Sequence, residues 1–149
     1  MPRPLTLFAL LVVAGCSLSD VDDASRLGWE DALIKWNQAG PASYSFVLTQ
    51  ACTCPGPKTA VRIVVRNKVV ESRTVIATDL PLDAASASQF PDVPGLFARI
   101  DRMLDLDYAS LQVRYDDAYG FPAEIYFDLS FQQSDDTEAY VVTGFTPLS

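Results

Sequence analysis

The sequence contains no histidine. That removes the commonest general base and the commonest metal ligand at neutral pH, and most hydrolytic and metal-site schemes weaken with it. Cations are scarce as well: 11 Lys and Arg stand against 19 Asp and Glu in 149 residues, a formal charge of −8. Nucleic acids and anionic headgroups are held by concentrated positive charge, so neither is expected as a partner. Sulfur is sparse, with three cysteines and two methionines, one of them Met1. Long apolar runs are missing too. The longest, Leu5 to Val13, stops within half of the roughly 20 residues that a membrane-spanning helix needs. No catalytic or cofactor motif stands out, so no enzyme activity, cofactor or bound metal is expected.

What the N-terminus does contain is ordered like an export signal. Met1 and Arg3 give a positive start, Leu5 to Val13 an apolar core, and Ala14 and Gly15 the small residues before Cys16. Val13-Ala14-Gly15-Cys16 resembles the lipobox of bacterial lipoproteins. The resemblance implies cleavage before Cys16 and acylation of that cysteine, which thereby becomes a membrane anchor facing the periplasm or cell exterior. Several acyl chains on one residue hold far more firmly than one. Ser17, rather than Asp, resembles the outer-membrane sorting pattern if the host is Gram-negative. Residues 1–15 are therefore expected to be a signal peptide, 16–28 the lipidated cysteine and a tether, and 29–149 one domain, large enough to bury its own core.

From Trp29 the apolar residues Trp29, Ala32, Leu33 and Trp36 follow helical spacing, ended by Gly40-Pro41. The period then changes to two at Tyr44, Phe46 and Leu48, and again at Val61, Ile63 and Val65. Asn67-Lys68 predicts a tight hairpin into a third strand from Val69 to about Ala77. Residues 79–94, with Pro81, Pro91 and Pro94, read as a long loop. Asp92 is placed to cap a second helix with a buried stripe of Leu96, Phe97, Ile100, Met103 and Leu104. Three strands follow, at Leu111 to Tyr115, Ile125 to Leu129 and Tyr140 to Phe145. The expected fold is α+β, an antiparallel sheet covered by two helices in the coarse order αβββ-αβββ, a helix over each half.

Three features could carry chemistry. With Cys16 acylated, Cys52 and Cys54 remain as an even pair in an oxidising compartment, where a disulfide is the default. Cα atoms two apart on a strand lie about 6.5 Å from one another, near the upper limit for a bridge, so the chain must kink, and Pro55-Gly56-Pro57 supplies a break. A buried thiol pair, a soft-metal site and a redox pair stay open as alternatives. The second feature, Tyr115-Asp116-Asp117-Ala118-Tyr119-Gly120-Phe121-Pro122, has the chemistry of a hairpin connection. It could equally be a binding turn formed by Asp116, Tyr119, Gly120 and Phe121, presenting aromatic surface beside a carboxylate. The third is the acid-rich set Asp116, Asp117, Asp128, Asp135, Asp136 and Glu138, whose spacing matches no EF-hand loop and reads as a solvated acidic surface.

The order of these features is similar to a family of uncharacterised bacterial lipoproteins. It runs from the lipobox through Trp36, Tyr44-Ser45-Phe46, Cys52-x-Cys54, the valine-rich hairpin from Val61 to Val70, Leu96-Phe97, Tyr115-Asp116, and Tyr119-Gly120-Phe121-Pro122 to Asp128. That resemblance implies a lipoprotein and no activity. The expectation is a non-enzymatic envelope module that binds another protein. The alternative is small-ligand or metal-ion binding through Cys52 and Cys54 or the acidic turns.

Overall fold

The structure, a computed structural model, describes residues 19–52, 59–106, 108–129 and 137–149. Cys16, Cys54, Asp135 and Asp136 lie outside the described residues, and with them the anchor and any Cys52–Cys54 bridge. Helix α1 runs Ser19–Ala39, so it begins ten residues before the Trp29 that periodicity indicated. Apolar spacing cannot register that first part because its residues are mostly polar. Acidic residues near a helix start are nevertheless favoured by its dipole. The long helix is fastened to its neighbour where Arg26 meets Asp105 at 2.7 Å and Asp101 at 3.4 Å. It stops where the Gly40 amide bonds the Trp36 carbonyl at 2.7 Å.

The strands are β1 (Tyr44–Cys52), β2 (Ala60–Arg66), β3 (Val69–Val75), β4 (Leu80–Pro81), β5 (Ser110–Tyr115), β6 (Pro122–Asp128) and β7 (Thr137–Pro147), with α2 (Val93–Leu104) between β4 and β5. They form one seven-stranded antiparallel sheet in the order β4-β3-β2-β1-β7-β6-β5. The expected αβββ-αβββ order is corrected by this arrangement. The fold is mostly sheet, and residues 79–94 hold the extra strand β4 and a 3-10 turn, Ala87–Gln89, rather than an unstructured loop. Proline misled the reading because it forbids a central strand but is tolerated on an edge. β4 is such an edge, pairing Leu80 with Val75 and Pro81 with Thr74, reached through a turn at Asp79 with φ +55°.

Local chemistry accounts for the joints. Asn67 and Lys68 take φ values of 48° and 65°, the left-handed pair that a two-residue hairpin demands. Asp92 accepts a hydrogen bond from the Gly95 amide at 3.1 Å, capping α2. The indole Nε1 of Trp29 donates to the Phe97 carbonyl at 3.0 Å, and Arg73 Nε donates to the Phe90 carbonyl at 2.8 Å.

Strand alternation sends Tyr44, Phe46 and Leu48, Val61, Ile63 and Val65, Ala123, Ile125 and Phe127, and Tyr140 and Val142 to one face. There they pack with Ala32 and Trp36 of α1 and with Val93, Leu96, Phe97, Ile100 and Met103 of α2. Both helices thus lie on one face of the sheet. The alternate residues point to the second face, where none of Val47, Val64, Tyr126 and Val141 is buried. An antiparallel sheet can leave one face open in this way.

Candidate functional site

The turn between β5 and β6 is built from its own backbone. Asp116 Oδ1 accepts from the amides of Ala118 at 3.0 Å and Tyr119 at 2.7 Å. The Asp116 amide bonds the Phe121 carbonyl at 2.8 Å, and the Gly120 amide bonds the Asp116 carbonyl at 2.9 Å. Gly120 has φ +80°, and a Cβ there would stand 2.7 Å from the Ala32 carbonyl oxygen of α1. Glycine is needed for both reasons, conformation and close approach. Lys35 of α1 closes the contact by donating to the Asp117 carbonyl.

The aromatics of this turn face inward. Phe121 is buried and stacks on Phe145 at 4.3 Å, with Trp36 edge-on at 6.4 Å. Tyr119 leans on the other side of the group, 5.5 Å from Phe145. Trp36 also meets Tyr44 edge-on at 5.3 Å. Of the proposed binding turn, then, Asp116 is engaged by amides, Phe121 is core, and Tyr119 is half-buried against Phe145.

Cys52 stands at the other end of β1. Register places it opposite Glu138 and places Gln50 opposite Tyr140. From Tyr44 to Cys52 the strand covers about 26 Å, so Cys52 and the aromatic turn do not converge. Near the Cys52 end lies a polar cluster that sequence reasoning missed. Tyr140, only 1% exposed, has its hydroxyl 3.2 Å from Gln50 Nε2 and 3.3 Å from Glu138 Oε2. Arg99 of α2 donates to the same Glu138 oxygen from Nε at 3.1 Å and lays its guanidinium 5.0 Å from the centre of the Tyr140 ring. Burial drives the Tyr140 hydroxyl far above its ordinary pKa, as it does for Tyr44 and Tyr115. The available sequence signal was only the placement of Tyr140 in an apolar run.

The acidic set does not come together. Asp116 sits in the turn, Glu138 is paired with Arg99, and register places Asp128 at the end of β6 next to Thr137. Among the described residues no group of three or more Cys, Asp or Glu is placed to hold a metal ion, and no Asp or Glu is buried. No described helix is long and apolar enough to cross a membrane.

The open face has its own composition. Val47 and Val64 lie there beside Val141, Ala139 and Thr49, with Tyr126 40% exposed on β6. Its β2 side carries Arg62 and Arg66, the latter 3.5 Å from Glu71. On its far side Arg114 and Glu124 pair at 2.6 Å, and that bond holds the Glu124 carboxyl below the usual range. The side chain of Arg62 has no hydrogen bond or ion pair within the described residues. Periodicity marks the valines as strand formers; that they are only half-buried follows from the helices sharing one face.

Comparison with curated proteins and with solved structures finds no match. A family model, described as a family of unknown function, DUF6174, matches residues 29–147, from the first buried turn of α1 to the end of β7. The match covers the whole sheet and both helix contacts, and the chain belongs to this family of unknown function.

Proposed function

We propose that the chain is an envelope lipoprotein, acylated at Cys16, whose domain binds another protein through the uncovered face of its sheet. The observation that carries the reading is the one-sided cover. Two helices bury one face, and the other offers Val64, Val47 and Val141, none of them fully buried, along a diagonal across three strands. Apolar surface bordered by charge is the usual composition of a protein interface. The partner it fits is a folded envelope protein with an apolar ridge for these valines and a carboxylate for Arg62. Export and anchoring are supported by the signal-like leader and the lipobox resemblance, and the long α1 would carry the domain away from the membrane.

The test compares three forms in solubilised envelopes by native electrophoresis. The unaltered chain is expected to incorporate labelled palmitate and to migrate as a defined complex. Cys16→Ser should lose the label. A paired change on the open face, Arg62→Glu with Val141→Lys, should keep the label and release the chain from the complex. Retention of the complex by that variant would contradict the reading.

A further inference from the structure

A groove of about 450 Å³ runs between the C-terminal half of α2 and strands β6 and β7, on the helical side and away from the open face. Its floor is Met103 and Phe127, both buried, and its rim is Leu106 and Leu129, which are 50% and 42% exposed. Two leucines left facing water across an apolar trough are the kind of surface that a ligand covers. The size falls within the range of about 300–1,000 Å³ usual for small-molecule sites, and an apolar lining with a few polar groups is their usual chemistry.

Two arginines and two acids line the groove, but they are not paired one to one. Glu138 is occupied by Arg99, from both Nε and Nη2, and Asp105 by Arg26 at 2.7 Å. Arg102, one turn along α2 from Arg99, also lines the groove, and its guanidinium has no hydrogen bond or ion pair within the described residues. Among the described residues, the Arg102 guanidinium is thus left without a side-chain partner beside the apolar trough, while the two acids that line it, Glu138 and Asp105, are engaged by Arg99 and Arg26. A cationic or neutral ligand would leave that guanidinium unmet, whereas a carboxylate would pair with it in a charge-assisted, two-point hydrogen bond.

We propose that this groove binds a single-chain fatty acid, its carboxylate on Arg102 and its alkyl chain along Met103, Leu106, Phe127 and Leu129. The inference does not depend on the open face or on its partner.

The test uses the full chain in phosphatidylcholine nanodiscs with a dodecanoate probe carrying a photoreactive diazirine at its terminal carbon. Adducts are expected on residues 99–106 and 127–129, competed by unlabelled dodecanoate and not by dodecyltrimethylammonium. Arg102→Glu and Leu129→Asp, both at exposed positions, should each reduce labelling about tenfold with thermal unfolding unchanged, while Arg102→Lys retains most of it. Equal labelling of all variants, adducts scattered over the surface, or equal competition by the cationic amphiphile would each overturn the proposal. Because none of these changes touches the open face, the complex described above should survive them.

Discussion

Phe121 and Phe145 stack with ring centroids 4.3 Å apart, joining the β5–β6 turn to the C-terminal strand. This one contact explains why a turn rich in aromatics and acids behaves as part of the core. β7 lies beside β1, so Phe145 is also within 5.4 Å of Tyr44, and the turn seals the end of the sheet beneath α1. Truncating Phe121 to alanine is expected to cost about 3–5 kcal/mol, as for other buried phenylalanines, measured by urea unfolding. Tyr119→Ala, at a half-buried site, should cost roughly 1 kcal/mol. Equal costs would mean that the turn is held by its backbone alone.

Gly120 and Gly144 provide a controlled comparison. Both have positive φ, 80° and 60°, but only at Gly120 would a Cβ meet the backbone of α1. Gly144→Ala should therefore cost about 1 kcal/mol for conformation alone. Gly120→Ala adds the overlap with the Ala32 carbonyl and should cost about 3 kcal/mol in the same unfolding assay. If the two alanine variants are equally stable, the close approach of turn to helix is wrong.

Stability should fall at high pH. Burial raises the pKa of Tyr44, Tyr115 and Tyr140 above the ordinary value of 10.0. An acid with a raised folded pKa favours the folded state below its unfolded pKa and withdraws that support as pH rises beyond it. The transition temperature is thus expected to be insensitive to these groups up to about pH 10 and to drop steeply above it. Phenolate absorbance should appear for these tyrosines only together with unfolding. Titration of all six tyrosines near pH 10 in a folded protein would refute their burial.

The cap of α2 is a smaller, local term. Asp92→Ala removes the acceptor for the Gly95 amide and should lower stability by about 1 kcal/mol. Asp92→Asn should recover most of the loss, since it keeps the acceptor oxygen. Failure of asparagine to rescue would assign the effect to charge.

Periodicity made much of this legible. The buried rows of β1, β2 and α2 stand where spacing put them, and Asn67-Lys68 and Asp92 act through chemistry visible within four residues of sequence. Pairing over long distances was not legible. Nothing local says that β7 returns to β1, and so nothing local says that Glu138 stands opposite Cys52 or that Arg99 reaches both Glu138 and Tyr140. The edge strand at Leu80–Pro81 was hidden by its proline, and the start of α1 by the lack of an apolar stripe. The open face and the groove depend on both helices choosing the same side, which no sequence period encodes.

The open face is tested most directly by photocrosslinking in intact envelopes, with p-benzoylphenylalanine placed at position 141 on the outward side of β7 or at position 34 on the exposed side of α1. Position 141 is expected to give one discrete adduct with another protein, abolished by Arg62→Glu, and position 34 none. Crosslinks from position 34 with none from 141, or adducts from 141 indifferent to Arg62→Glu, would contradict an interaction surface on the uncovered sheet.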